Sequence, residues 1–290
     1  MPTPSKVAIF GAAGQLGVEL VKVFTERGHT VHSFRRRDAD ITDSTQLEAR
    51  LASLDIDVVL NSAAYNKVDI AENEPQVAYA VNGLAVRNLA LACRQLDARL
   101  VHFSTDYVFD GNAGRPYRED DQVRPISAYG VSKLAGEFYA QAYCDSALIL
   151  RTSGVFGPAG VHTAGGNFIE SMLRLGAKGG PLRIVNDHVA SPTFAPELAR
   201  VTADLVERGE AGIFHAGGGQ PISWFDYAVK IFAKAGLSPE LKPTTEREYR
   251  TPARRPKYSA LENARLNRLG ILPFPSLDEQ IDRYFALRNL

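Results

Sequence analysis

Five apolar runs of strand length, KVAIF, TVHSF, DVVLN, RLVHFS and ALILR, begin near residues 6, 30, 57, 99 and 147, with longer segments of helical period between them. This alternation of a repeat of about 2 with one of about 3.6 residues constrains the fold more than any other feature. A helix placed between successive strands has to carry the chain back across the sheet, so the strands run parallel and helices cover both faces. QLGVELVKVFTERG and PQVAYAVNGLAVRNLALACRQL are the clearest helices, the first closed by Gly28 as a C-cap. From about Ser153 the texture changes: GVFGPAGVHTAGG is rich in glycine, the strand-like runs PLRIV and GIFHAGG are short and sparse, and a basic YRTPARRPKYSAL follows. We expect a doubly wound α/β domain over residues 1–151 and a smaller C-terminal substrate-binding lobe over residues 152–290, some of whose helices return to the sheet.

Composition excludes several functions. The 290 residues carry 33 Lys and Arg against 33 Asp and Glu, so no net charge draws the chain to nucleic acid or to an anionic membrane. No apolar run approaches the roughly 18 residues that a membrane span needs. The opening MPTPSKVAIFGAAG passes from a short polar lead into a strand without the pattern of a signal peptide. The two cysteines, Cys93 and Cys144, lack metal-ligand spacing and read as buried thiols in a reducing compartment. A cytoplasmic protein without nucleic-acid or membrane partners is expected, and a homodimer is compatible with this reading.

The first strand runs directly into GAAGQLG and then a helix. A turn built from Gly11, Gly14 and Gly17 lets a pyrophosphate approach backbone N–H groups at the helix N-terminus, which points to a dinucleotide in a Rossmann-type sheet. Gln15 and Leu16 belong to the same loop. After the second strand come Arg35, Arg36 and Arg37, which favour the 2′-phosphate of NADP, while Asp38 and Asp40 keep NAD open. A solvated basic turn is the ordinary alternative for some of these arginines. In DITD, Asp40 and Ile41 reach the adenine end, and Asp43 serves either there or as the N-cap of the next helix.

The fourth strand ends in HFSTDYVFDG, which sets Ser104, Thr105 and Asp106 where a doubly wound sheet binds its ligand. In SAYGVSKLAGEFYAQ, Tyr129 and Lys133 stand at i and i+4 on one helix face. A tyrosine ordinarily titrates near 10, and an ammonium beside it would draw it toward neutrality. Thr105 would then bind a substrate carbonyl while Tyr129 supplies a proton and a nicotinamide supplies hydride. A Tyr/Lys pair alone is most often a solvated face; following a glycine loop and a strand-end threonine, it reads as catalytic.

GAAGQLG, STDYVFDG and YGVSK together resemble the extended short-chain dehydrogenase/reductase superfamily and, within it, the dTDP-4-dehydrorhamnose reductase family. DITD, NSAAYNKVDIAENEP, VNGLAVRNLA, LRTSGVFG, NFIESMLRL and RRPKYSAL extend the resemblance over nearly the whole chain. It implies reduction of the C4 ketone of a nucleotide-linked deoxysugar, dTDP-4-dehydro-L-rhamnose to dTDP-L-rhamnose, with NADPH, NADH being the second choice. Thr105, Tyr129 and Lys133 are then the catalytic triad, and Ala63, Ala64 and Tyr65 line the cofactor. Asn82 supports the active site from its helix, and Asp106, Asn167, Asn186 and Arg254 or Arg255 meet the substrate. Where the family commonly has a tryptophan against the sugar, this chain has Gly154. Glu19 matches one acid of the family's magnesium site, the others have no located counterpart, and no metal is expected. The rival readings are a nucleotide-sugar epimerase or dehydratase of the same superfamily, and a non-catalytic dinucleotide-binding regulatory subunit.

Overall fold

Successive residues of the first strand face opposite sides, Val7 and Ile9 one way and Ala8 and Phe10 the other, and all four are buried. Such two-sided burial requires a layer on each face. In the computed structural model, which describes residues 4–163 and 166–288, those layers are helices. Residues 164 and 165 of the glycine-rich stretch lie outside the described residues. The strands are β1 (Lys6–Phe10), β2 (Thr30–Phe34), β3 (Val58–Asn61), β4 (Arg99–Thr105), β5 (Leu148–Thr152), β6 (Leu182–Val185), β7 (Val189–Ala190), β8 (Gly212–His215), β9 (Ile222–Ser223) and β10 (Leu241–Thr244). Six form one parallel sheet in the order β2-β1-β3-β4-β5-β8, while β10 pairs with β6 and β7 with β9. The expected doubly wound α/β sheet is present.

On one face, Val7, Ile9, Leu60, Val101 and Leu148 meet Leu20 and Phe24 of helix Gln15–Glu26 and Leu198 and Leu205 of helix Ala195–Glu207. On the other, Ala8, Phe10, Val59 and Leu100 meet Leu47, Leu51, Leu89 and Cys93. A side chain of this kind stabilises the fold by about 1.5–3 kcal/mol when fully buried, so both helical layers are needed to hold the sheet. Strand β8 and helix Ala195–Glu207 come from the second half of the chain yet belong to this core. What remains of that half closes around its own cluster of Phe156, Phe194, Tyr227, Ile231 and Tyr284.

Local rules explain the element ends. Gly28 (φ +85°) follows the helix Gln15–Glu26, and the Gly28 and His29 amides donate to the Thr25 and Phe24 carbonyls. Asp43 resolves as an N-cap, its carboxylate accepting from the Gln46 amide at 3.0 Å. The long helix expected from Pro75 contains a π-helical turn at Ala80–Leu84 between the α segments Pro75–Tyr79 and Ala85–Gln95. Such an inserted turn is a frequent mark of function. Here it carries Asn82, whose side chain bonds to both backbone groups of Tyr65 and to the Ser132 hydroxyl.

Candidate active site

The order of the sheet reverses at β1, which has β2 on one side and β3 on the other. Crevices at such a reversal, beyond the carboxyl ends of the strands, are where doubly wound sheets bind ligands. A cleft of about 410 Å³ opens there, lined by Gly11 and Gly14, by Arg35, Asp40 and Ile41, and by Ala63, Ala64 and Tyr65. Ala13, Arg36, Ala39, Ser62, Asn66 and Val81 also line it. Of these, Ala13 belongs to the GAAGQLG loop and Arg36 to the arginine turn; Asn66 and Ser62 merely flank AAY.

The backbone is shaped for a diphosphate. Gly11 has φ +76°, and a Cβ there would stand 2.6 Å from the Ala63 nitrogen. A Cβ on Gly17 would stand 2.2 Å from the Gly11 oxygen, so bare glycine lets the helix pack onto the loop. Gly14 caps helix Gln15–Glu26 without any side-chain bond, which leaves the positive end of that helix facing the cleft. A dinucleotide fits these residues.

Two members of this loop turn elsewhere. Leu16 packs into the core. The Gln15 side chain leaves the cleft, and its oxygen accepts from the Gly157 amide at 3.2 Å and the Asn167 amide group at 2.9 Å. Asn167, expected on the substrate, is thereby committed to the fold: its oxygen caps helix Phe168–Lys178 by accepting from the Glu170 amide.

At the end of β4 the hydroxyl of Thr105 donates to Asp106 at 3.0 Å and accepts from the Tyr107 amide. Helix Ala128–Tyr143, N-capped by Ser127, carries Tyr129 and Lys133 into the interior, 9% and 2% exposed. Tyr129 donates to Asn66 at 3.5 Å, which joins the proton-bearing hydroxyl to the edge of the cleft. Asn82 reaches the same helix through Ser132, whose hydroxyl also donates to the Tyr129 carbonyl.

A glycine-lined cleft at the sheet reversal, with a buried threonine, tyrosine and lysine beside it, can be compared with known proteins. The family model for the RmlD substrate binding domain matches residues 5–289. A dTDP-4-dehydrorhamnose reductase of Mycolicibacterium smegmatis is 38% identical over 271 residues, 92% of this chain and 81% of that protein. The chain belongs to the dTDP-4-dehydrorhamnose reductase family. The spore coat polysaccharide biosynthesis protein SpsK of Bacillus subtilis is 36% identical over 269 residues, 93% of each chain. The crystal structure of dTDP-4-dehydrorhamnose reductase from Bacillus anthracis in complex with NADP superimposes with a TM-score of 0.92 at 34% identity, covering 98% of this chain and 99% of that one.

Within this reductase-family site the electrostatics depart from the expected Tyr/Lys coupling. Burial pushes the Tyr129 phenol above its ordinary range; contact with the Thr105 hydroxyl lowers it in part, and Asp106 raises it further. Lys133 does not offset this, because its ammonium donates to the Phe103 carbonyl of β4 at 2.5 Å. Burial draws Lys133 itself down to about 8, opposed by the charge of Glu137 one turn along. Glu137 is paired with Arg151 at 2.7 Å and accepts from Ser104 at 2.5 Å, all buried. Ser104 therefore faces the helix, away from the cleft.

Asp106, expected to touch substrate, is 3% exposed and is held from three sides. One oxygen accepts from Thr105, the other from Ser153 at 2.8 Å and Ser259 at 2.6 Å. Burial raises its carboxyl to about 6 against these three bonds. It orients Thr105 and ties the C-terminal loop to the sheet. Arg255 is bound by Asp69 through two parallel bonds, at 3.0 and 2.8 Å. Arg254 and Asn186 are exposed. Glu19 is buried on helix Gln15–Glu26, and among the described residues no group of three metal-ligating side chains gathers.

Proposed function

We propose that this protein reduces the C4 ketone of dTDP-4-dehydro-L-rhamnose to give dTDP-L-rhamnose, with NADPH as reductant. What supports this reading is Tyr129, which donates to Asn66 at the edge of the dinucleotide cleft and contacts the Thr105 hydroxyl, with Lys133 one helical turn along, in a chain that the reductase family model matches almost end to end. When bound, NADPH supplies the hydride that reaches C4. Gly11 and Gly14 present backbone groups to its diphosphate, Arg35 and Arg36 carry the positive charge that a 2′-phosphate requires, and Ala63, Ala64 and Tyr65 form the opposite wall.

Thr105 donates its hydroxyl proton to the substrate carbonyl once that proton turns from Asp106, whose carboxylate stays bonded to Ser153 and Ser259. Tyr129 gives its proton to the carbonyl oxygen as charge develops there. Because burial raises the pKa of this phenol, the proton leaves it only as negative charge develops on the carbonyl oxygen. The Lys133 ammonium, once turned from the Phe103 carbonyl, neutralises the phenolate left behind and restores its proton. Arg254, Asn186 and, on release from Asp69, Arg255 take the diphosphate of the sugar nucleotide.

No described helix is long and apolar enough to cross a membrane. Cys93 and Cys144, both buried and unbonded, fit a reducing compartment, and we assign the reaction to the cytoplasm. Val131 and Phe138 lie exposed on the outer face of the catalytic helix and support a homodimer through that face.

The test is NADPH consumption with dTDP-4-dehydro-L-rhamnose, NADH alongside. Turnover that Tyr129→Phe abolishes while cofactor binding persists is expected. Absence of turnover by wild-type protein with cofactor bound, or tightly bound NAD that is retained through turnover, would overturn the reductase assignment. Arg35→Asp is expected to shift preference toward NADH.

A further inference from the structure

His102 is fully buried on β4, on the same side of the sheet as Ser104, and it takes no part in the chemistry described above. Its register partner on β3 is Asn61, also buried, whose carboxamide nitrogen lies 3.3 Å from Nδ1 of the ring. The neighbouring groups fix which atom donates. The Ala63 amide donates to the Asn61 side-chain oxygen at 3.2 Å, so the carboxamide turns its NH2 group to the ring. Nδ1 therefore accepts, and Nε2 carries the proton. Burial, with the charge of Lys133, holds the imidazole well below its ordinary pKa, which keeps Nδ1 free to accept.

The other edge of the ring makes no bond: Nε2 has no hydrogen-bond partner among the described residues. A Cβ on Gly136 of helix Ala128–Tyr143 would stand 3.1 Å from Nε2 and 2.3 Å from the Asn82 carbonyl oxygen, so a bare glycine admits the ring beside the π turn. A buried donor left unpaired costs stability, and an apolar residue here would not incur that cost. What the ring contributes is its bond to Asn61, and that bond leads to the cofactor cleft. Ala63 lines the cleft, and its nitrogen is the atom that a Cβ on Gly11 would approach to 2.6 Å, so the two walls meet there. On either side of Ala63 the turn is fastened independently: Ser62 donates to the Phe10 carbonyl through its amide and its hydroxyl, and Tyr65 is held by Asn82. Ala63 depends on Asn61, and Asn61 on the ring.

We propose that His102 is a positioning residue for NADPH: without lining the cleft itself, it sets the Ala63 amide through Asn61 and so the distance between the AAY turn and the glycine loop. The assignment rests on the dinucleotide reading of that cleft and is independent of which sugar is reduced.

The experiment compares wild type with His102→Leu, which keeps much of the volume and loses the acceptor, and with His102→Asn, whose side-chain oxygen is attached to Cγ as Nδ1 is and can accept in its place. Asn61→Ala and the double variant Asn61→Ala/His102→Leu complete the set. NADPH binding is titrated by the fluorescence of the nicotinamide, beside urea unfolding, inhibition by dTDP, and kinetics at saturating NADPH. His102→Leu is expected to weaken NADPH binding by about tenfold, the scale of one buried hydrogen bond, while kcat and the ketosugar KM at saturating NADPH stay as in wild type. His102→Asn is expected to recover most of the loss. The double variant should bind NADPH no more weakly than Asn61→Ala alone, because both changes break one chain of bonds. Unchanged NADPH binding in His102→Leu overturns the proposal. So does a His102→Asn variant as weak as His102→Leu, an additive loss in the double variant, or an equal weakening of dTDP, which marks a general disturbance of the fold. If urea unfolding shows that His102→Leu does not fold, near-native NADPH binding by His102→Asn with a tenfold loss in Asn61→Ala supports the proposal, and any other pairing overturns it. In each of these cases a wild type that binds NADPH keeps the cofactor reading; a wild type that binds none overturns both.

Discussion

Asp106→Asn separates what this site contributes to stability from what it contributes to chemistry. The carboxyl of Asp106 titrates at about 6 in the fold, against an ordinary 3.8, because burial outweighs the hydroxyls of Ser259, Ser153 and Thr105. A folded pKa above the unfolded one means that the fold prefers the protonated acid. The stability from that preference is fully present below about pH 4 and is lost as pH rises through about 6. At roughly 1.4 kcal/mol per pKa unit, the loss is about 3 kcal/mol by neutral pH. Asparagine has nearly the same shape and no charge to desolvate, and the three hydroxyls reverse to accept from its amide or continue to donate to its oxygen. Weaker bonds without the charge give back part of the gain, so the variant is expected to be roughly 1–3 kcal/mol more stable than wild type at about pH 7.5. At about pH 4.5 the two should be nearly equal. Turnover should fall, because an amide can either donate to or accept from the Thr105 hydroxyl and no longer holds it in the single orientation that a carboxylate enforces. The assay is urea unfolding at the two pH values with the slope checked for constancy, beside steady-state kinetics. A stability difference that does not depend on pH, or a variant weaker than wild type at pH 7.5, would refute the account of Asp106 as a strained, desolvated acid.

Three other outcomes follow from the geometry. In the free protein the Lys133 ammonium sits at about 8, so kcat/KM should fall as pH rises through that value, and Lys133→Arg should move this alkaline limb beyond the measurable range, as followed in the NADPH assay. Gly17→Ala places a methyl 2.2 Å from the Gly11 oxygen and should cost about 3 kcal/mol in denaturant unfolding while weakening NADPH binding. Glu137→Ala strands the buried Arg151 guanidinium and should destabilise by about 3–5 kcal/mol; a loss below 1 kcal/mol in the same assay would contradict the buried pair.

What the chain declares on its own is whatever its local spacing enforces. The alternation of Val7 and Ile9 with Ala8 and Phe10 requires a strand buried on both faces, and strands of that kind separated by helical segments leave little alternative to a parallel sheet. Gly11 with Gly14, and Tyr129 with Lys133 one helical turn later, are short-range relations that backbone geometry carries directly into space. Asn82 lies in the helical segment expected from Pro75, yet nothing in VNGL announces a π turn, and the partners its side chain finds there, Tyr65 and Ser132, come from other elements.

Only the tertiary structure decided the partners. Gln15 stands in the middle of the dinucleotide loop, and its side chain nevertheless binds Asn167 from 152 residues away. Asp106 takes Ser259 from 153 residues away, and Arg255 finds Asp69 across 186. The run GIFH reads as one more short strand of the second half, and it forms the edge of the main sheet beside β5. In each case the side chain's chemistry is compatible with several roles, and the choice among them depends on which groups the closed fold brings within about 3 Å and removes from water. Periodicity and turn chemistry act over a few residues and are visible in sequence; burial and charge compensation act across the folded interior, which exists only after the chain has closed.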